Sequence, residues 1–474
     1  RQARAVADAG RAEPGTAAFD QLKNTITGIN NWDSGVNVPG APATGGAALV
    51  QRSRTYHNEA QWNVGRRIRF ADVVLGADAR VYEVIPDGNN FVDFSKPLAD
   101  RTTPGGSNVY YRKYGGFAQA TRLLLADRLK LNASLRLDYN PEFDPKLNPR
   151  VAAVYTVAQR HNFRASYQNG WRFPALFEAL SFVNNGNVRR VGGLARVNEG
   201  LGFLENSYTL TSLDNFSAAV SRDVAADPSG TTAEKQQRAA LRNRDVLQVA
   251  NLPTMEPERI NAYEVGYRSV LFDNRLALDL DAYYNVYSGF LGQVEVAVPQ
   301  SGLVGSEAAV QDMLARARQD RYRVYANARN QYRSYGSAAG ITYNFYQKYT
   351  LAGNVNYNSI ATNDTQDVFI TGFNTPKWTT NLSFGNREVV RNVGFNVVWR
   401  YQDAFLWESQ LANGRIPAYQ TVDAQVNVRL PNLKSTVKLG GTNLLNNRYL
   451  QYAAGPTIGG LYYVTVTFDN TVLR

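Results

Sequence analysis

The sequence contains no cysteine, which excludes disulfide frameworks and thiolate metal sites. It contains no long apolar run either, and a helical membrane protein needs about 20 consecutive apolar residues per span, so that class is excluded too. Histidine occurs only as His57 and His161. Neither has a Ser and Asp set around it, and no H-E-x-x-H, P-loop, G-x-S-x-G or Cys/His spacing is present. The expectation is a protein that is not an enzyme and holds no metal or other cofactor. Residues 1–11 lack a charged segment followed by an apolar one, so no signal peptide is expected and the chain reads as a mature protein or a fragment.

What is present points to a different use of apolar residues. Aromatics reach 12%, with 28 Tyr against 6 Trp. Mean hydropathy is −0.37 with 19% charged residues. Such averages suit a transmembrane β-barrel, whose strands face lipid on one side and a polar lumen on the other. The net charge of +11 comes from 51 basic and 40 acidic residues. Because the arginines are scattered, with no dense Lys/Arg block, nucleic acid is not an expected partner. No Pro/Ser-rich linker divides the chain, so one large closed sheet fits better than several small cores.

Period-2 alternation recurs along the chain. Leu129, Leu131, Ala133, Leu135, Leu137 and Tyr139 share one face, and Lys130, Asn132, Ser134, Arg136 and Asp138 the other. The charges on the second face are too frequent for a sandwich interior and suit a hydrated lumen. By this criterion about fifteen strands are placed. They cover 55–64, 72–84, 111–126, 129–140, 149–158, 161–172, 260–272 and 275–291. The rest cover 329–346, 349–360, 375–388, 393–407, 419–431, 435–446 and 461–469.

Short turns such as Ala126–Arg128, Ala158–Arg160 and Phe272–Asn274 alternate with longer segments at 85–110, 141–148, 173–259, 292–328, 361–374, 408–418 and 447–460. An up-and-down outer-membrane barrel predicts this rhythm, with short periplasmic turns and longer extracellular loops. Aromatics near the strand ends agree. Tyr283, Tyr284, Tyr287 and Phe290 cluster toward a long-loop end, and Phe272, Phe345, Tyr346 and Tyr349 toward the short turns.

Single-chain bacterial barrels close with an even number of strands. The odd count here, preceded by a polar segment 1–54 that reads as an extracellular loop, predicts that the start of the barrel lies outside this chain. The expected organisation is loop 1–54, barrel 55–469 and a tail 470–474.

Three segments carry a resemblance. Residues 148–178 read NPRVAAVYTVAQRHNFRASYQNGWRFPALFE. Residues 256–290 place a glutamate and a glycine before a tight F-D-N turn, and Gly441–Asn446 reads GTNLLN. In this order and spacing they resemble TonB-dependent receptors, the active transporters of the bacterial outer membrane. The resemblance implies a barrel of about 22 strands around a plugged lumen. About seven strands, the plug and the TonB-contacting box would then lie outside this chain. It implies energised uptake of a scarce nutrient bound at the extracellular mouth, with a ferric siderophore as the first expectation. Cobalamin, haem or oligosaccharide are other family ligands, and a passive porin-like or structural barrel is the alternative. The implied partners are outer-membrane lipid and lipopolysaccharide, a small-molecule ligand, and the TonB complex acting through the missing N-terminal part. The fragment alone is not expected to close or transport.

Two sets of site candidates follow. Arg321–Tyr335, RYRVYANARNQYRSY, is dense in Arg and Tyr. Arginine offers bidentate contacts to carboxylate or phosphate, and tyrosine offers stacking plus a hydroxyl. Arg321, Tyr322, Arg323, Tyr325, Arg329, Tyr332 and Arg333 are therefore candidates for ligand contact, and the bland reading is an interface girdle with arginines on lipopolysaccharide phosphates. Arg172, Pro174, Phe177 and Glu178 match the family's loop motif, which is expected to shape a loop rather than bind substrate. Amphipathic helices are expected at Thr232–Val246 and Ser306–Asp320, within long loops that serve ligand access.

Overall fold

A computed structural model describes residues 9–10, 12–28, 52–65, 68–86, 90–101, 106–184, 188–346, 348–362, 373–409 and 412–468. Most of the expected loop 1–54 and all of the expected tail 470–474 lie outside the described residues. Within the former, Ala17–Gly28 is a helix.

The wall begins with β1 (Arg52–Asn63), β2 (Asp72–Ile85), β3 (Val109–Leu124), β4 (Leu129–Asn140), β5 (Phe143–Val157) and β6 (His161–Arg172). An excursion then carries β7 (Phe182–Asn184), β8 (Arg189–Val191) and β9 (Tyr208–Thr209). The wall resumes with β10 (Glu258–Leu271) and β11 (Leu276–Ser288), and a second excursion holds β12 (Leu291–Pro299) and β13 (Gln319–Asn327). Next come β14 (Tyr332–Phe345), β15 (Tyr349–Thr362), β16 (Trp378–Val390) and β17 (Val393–Gln402). After a small hairpin, β18 (Phe405–Trp407) and β19 (Gly414–Ile416), the wall ends with β20 (Tyr419–Leu430), β21 (Ser435–Thr442) and β22 (Leu461–Phe468).

Fifteen of these strands form one sheet in chain order, β1 and β22 at its ends, with antiparallel neighbours throughout. This is the expected up-and-down architecture. Several links have a local cause. Ala158 and Gln159 have φ of 48° and 56°, and the Arg160 N–H donates to Val157 O. Positive φ at both central residues matches the right-handed twist of the flanking strands.

The connection expected at 141–148 is a difference. β5 begins at Phe143, so the turn is short and both strands run on. Asp144, Pro145 and Asn148 read as loop residues. The ladder nevertheless continues, with Asn148 opposite Arg136 and Lys146 opposite Asp138.

The two faces of the wall differ as the alternation requires. On one, Leu135, Leu137 and Val265 stand 48%, 50% and 57% exposed, so this face needs an apolar environment. The other is charged. Arg136 Nη2 lies 2.6 Å from Asp78 and 2.7 Å from Asp138. Arg164 contacts Asp281, Asp279 and Glu264, and Arg400 contacts Asp423.

Two aromatic rows run across the apolar face. One passes through Tyr263, Tyr284 and Tyr335, which the register places side by side. The other includes Tyr343, Phe345, Tyr349 and Phe384, stacked at 5.3–5.8 Å between successive rings. Tyr335 and Tyr343 lie about 27 Å apart along β14 at ~3.4 Å per residue. Tyr283 and Tyr287, expected in the girdle, alternate onto the polar face instead.

Candidate functional site

The long connections at one end of the wall fold together. Phe91 and Val92 come from the first, Leu180, Phe182 and Val191 from the second, and Val296 and Val324 from the third. All seven share one buried core, which Val84 and Tyr111 of the wall also enter. Five short strands order as β7-β8-β13-β12-β9 in a second sheet. A second core joins the helices Leu210–Ala226 and Thr232–Arg242 through Phe216, Val220 and Ala240. The helix expected at Thr232–Val246 is present to Arg242, started by a Thr231–Glu234 capping box. The one expected over Ser306–Asp320 is shorter. Ser306 caps Glu307–Asp312, after which the chain turns and enters β13 at Gln319.

The family-motif corner ties this cap to the wall. Arg172 Nη1 donates to Glu178 at 2.9 Å while its Nε donates to Glu258. Glu178 also accepts the Ala175 N–H, and Glu258 accepts the Leu291 N–H at the start of β12. The Pro174 carbonyl accepts from Tyr111 Oη at 2.9 Å and Lys113 Nζ at 3.1 Å, both on β3. Phe177 packs on the shared core and meets Phe91 edge-on at 6.0 Å. These four residues build a junction between the cap and the wall.

β13 sorts the Arg/Tyr segment by alternation. Tyr322 and Val324 enter the core, and Tyr322 is 5% exposed. Arg321, Arg323 and Tyr325 occupy the opposite face. There Arg323 sits between Arg190 of β8 and Glu295 of β12, and its Nε donates to Glu295 at 2.6 Å. Arg321 donates to Gln319 Oε1 at 2.8 Å. Burial and the neighbouring Arg316 pull its pKa below the usual guanidinium value. Burial pushes the Tyr325 hydroxyl up, so it remains a donor at neutral pH. Arg190, Arg321 and Arg323 thus share this sheet face with Glu295 beside the Tyr325 phenol, while Asp214 acts on Arg321 and Glu178 on Tyr325. Such a face can take an anionic ligand through charge-assisted hydrogen bonds.

The other candidates lie elsewhere. Arg329 donates to the Asn251 carbonyl, and Tyr332 is 3% exposed beside Phe290. Arg333 alternates to the apolar side of β14, opposite Val286. Arg190 and Glu295 were not among the expected residues. The Arg-Arg pair before Val191 was their signal, but nothing in local spacing shows that β8 runs parallel beside β13.

An antiparallel up-and-down wall with one apolar and one charged face, capped by co-folded loops, is the arrangement expected of a transmembrane β-barrel wall. A family model described as TonB dependent receptor-like, beta-barrel, matches residues 14–444, and the chain belongs to that family. A comparison with curated proteins finds no match. Among solved structures, the siderophore receptor PirA from Acinetobacter baumannii is similar at 11% identity and a TM-score of 0.57, covering 90% of this chain and 57% of its own. The FrpB iron transporter from Neisseria meningitidis gives 14% and 0.54, covering 88% of this chain and 55% of its own. The copper transporter OprC gives 14% and 0.52, covering 88% of this chain and 57% of its own. At these identities the likeness concerns the fold, and the chain spans little more than half the length of those structures.

Proposed function

We propose that this chain is the barrel part of an outer-membrane receptor that takes up a ferric siderophore, driven by TonB acting through a plug outside this chain. The observation that carries the reading is the cationic cap face of Arg190, Arg321, Arg323 and Tyr325, set in loops that fold as one body over the end of a polar-faced wall. The names of the siderophore and iron receptors among the similar structures support the same ligand class. An anionic ferric chelate would meet the guanidinium groups, while Tyr322 and Tyr332 hold the segment from the buried side. The ion pairs of the wall's charged face would line the lumen, and the apolar face would meet outer-membrane lipid and lipopolysaccharide.

Titrating the full-length receptor with a panel of ferric siderophores, read by intrinsic fluorescence, tests this. The double variant Arg321→Ala/Arg323→Ala is expected to bind about tenfold or more weakly, since charge-assisted hydrogen bonds contribute about 1.5–3 kcal/mol each. If no ferric chelate binds the unaltered receptor, the siderophore reading is lost.

A further inference from the structure

The charged face of the wall is not charged throughout. On β4, β6, β10 and β11 it carries Arg136, Asp138, Arg164, Glu264, Asp279 and Asp281, all bound into ion pairs. Past β11 the charges stop. Register partners share a face, so the row that starts at Asp281 continues through Ala338, Asn356 and Thr379. The row from Asp279 continues through Gly340, Asn354 and Asn381 before it reaches Arg400 on β17. Toward the long connections Tyr283 meets Gly336 and Asn358, and toward the short turns Thr342, Ala352 and Ser383 lie side by side. Among the described residues, none on this face of β14, β15 and β16 carries a charge between the rows of Ser334 and Thr342. The result is an uncharged strip three strands wide and about 27 Å long at ~3.4 Å per residue.

The strip is also recessed. A Cβ added at Gly340 would find nothing nearer than the Asp279 carbonyl at 3.7 Å. A hollow of about 570 Å³ lies over Gly340, Thr342, Ala352 and Asn354, with Arg268 and Arg400 at its margins. A second hollow, of about 550 Å³, lies nearer the long connections against Ser334, Tyr283 and Tyr287. The cap leads into this sector, because β13, which bears Arg321 and Arg323, runs into β14 across 328–331.

The polar groups of the strip satisfy one another. Asn381 Nδ2 donates to Asn354 Oδ1 at 2.9 Å, Asn356 Nδ2 to Thr379 Oγ1 at 3.2 Å, and Tyr283 Oη to Asn358 Oδ1 at 2.7 Å. A passing solute meets dipoles that already have partners. Along β4 to β11 an anion would instead meet guanidinium and carboxylate groups in turn, and a full charge acts on it far more strongly than an amide dipole. The first would hold it and the second repel it. Transit needs sites weak enough to leave, which the uncharged strip offers and the charged rows do not.

We propose that the uncharged strip of β14, β15 and β16 is the lane along which hydrophilic cargo passes from the cap to the short-turn end. The charged rows beside it are the fixed side of the lumen. The inference rests on the uptake proposed for this receptor and goes beyond it by assigning the route to one sector of the wall.

The test uses the full-length receptor in intact cells and a membrane-impermeant maleimide. This chain has no cysteine, so once any cysteine elsewhere in the receptor is replaced by serine a single thiol reports its own position. Ala338→Cys puts that thiol in the strip. Ala152→Cys puts it among the charged rows, between Asn132 and Ser166 and one row away in the register. Ala338→Cys is expected to react about tenfold faster in energised cells than after a protonophore, a factor equal to about 1.36 kcal/mol. Ala152→Cys is expected to react at one slow rate in both. Gly340→Trp added to Ala338→Cys is expected to restore the slow rate, and Ser134→Trp, on β4 opposite Gln119, is expected to leave the fast one unchanged. Equal rates at the two positions, or a faster rate at Ala152→Cys, overturn the lane. So does a fast rate at Ala338→Cys that Gly340→Trp leaves as it was. A fast rate at Ala338→Cys alone that ignores the protonophore keeps the lane and removes the energised uptake beneath it.

Discussion

The wall and the cap meet opposite solvent problems within one chain. In the wall, leucines and valines stand half exposed on one side and ion pairs line the other, so the sheet has no interior of its own. Its order comes from the ladder of main-chain hydrogen bonds and from whatever apolar phase covers the outside. The cap is built like a small water-soluble domain. Phe91, Leu180, Phe182, Phe203 and Phe216 are each no more than 2% exposed, drawn from loops far apart in sequence. The wall needs its surroundings to be stable, whereas the cap carries its own reason to fold.

The largest expected effect tests whether those two are separable. Phe216 is fully buried in the core between the two cap helices. Phe216→Ala should cost about 3–5 kcal/mol. Limited proteolysis should then cut within 210–246 while the strands stay protected. If the wall becomes cleavable at the same protease concentration, cap and wall are one cooperative unit and the comparison fails.

Arg172 is the next point of attack, because it joins the two regions. Its removal strands Glu258, whose side chain is 11% exposed. An unsatisfied buried group costs about 1–3 kcal/mol. Arg172→Ala should speed amide exchange at Ala175 and Leu291, whose N–H groups are held by Glu178 and Glu258. Arg172→Lys should rescue little, since an ammonium cannot make the two-pronged contact. Unchanged exchange at Leu291 would mean that the corner does not couple the excursions to the wall.

The sequence was far more legible in the wall than in the cap. Residues 129–139 alternate without a break, and a one-residue slip would turn every charge toward the apolar side. Period and parity therefore suffice there. In the cap, Leu291–Pro299 also alternates, with Val294, Val296 and Val298 inward. Yet it pairs across about thirty residues of chain, and its neighbour β9 comes from another excursion. Such contacts are set by tertiary packing, which leaves no local period. The same cause hid Arg190 and Glu295, while the alternation that put Arg321 and Arg323 on one face could have been read in advance.

Within the wall an effect of similar size, confined to one ion pair, is expected at its glycines. Gly266 lies between Arg164 and Asp281, and a Cβ there would meet Arg164 Nε at 2.5 Å and Asp281 Oδ1 at 2.6 Å. The missing side chain is what lets the ion pair pass over β10. Gly266→Val should displace that pair and cost about 1–3 kcal/mol through overpacking. Gly340→Ala is the control, because its Cβ would find only ordinary contacts from 3.7 Å. It should be neutral in thermal unfolding of the reconstituted wall. Equal shifts for both variants would show that strand glycines here matter for backbone flexibility rather than for room.

The smallest effect belongs to the cap's edge and depends on pH. Asp93 accepts from Ser95 Oγ at 2.6 Å, from the Ser95 N–H and from the Ser107 N–H, closing the excursion that follows β2. These hydrogen bonds, that from the Ser95 hydroxyl foremost, hold its carboxyl below the usual aspartate value. A lowered folded pKa means that the stabilisation is fully present above the unfolded value, near 3.9. It is then lost as pH falls from there through the folded value. Amide exchange at Ser95 and Ser107 should therefore rise, beyond the intrinsic pH trend, only below about pH 4. Asp93→Asn should raise it already at neutral pH and flatten the dependence. Since, among the described residues, this carboxyl hydrogen-bonds only within its own loop, the helices of the cap should keep their protection throughout. If they lose it in the same acid range, the turn held by Asp93 is part of the cap's cooperative core rather than its edge.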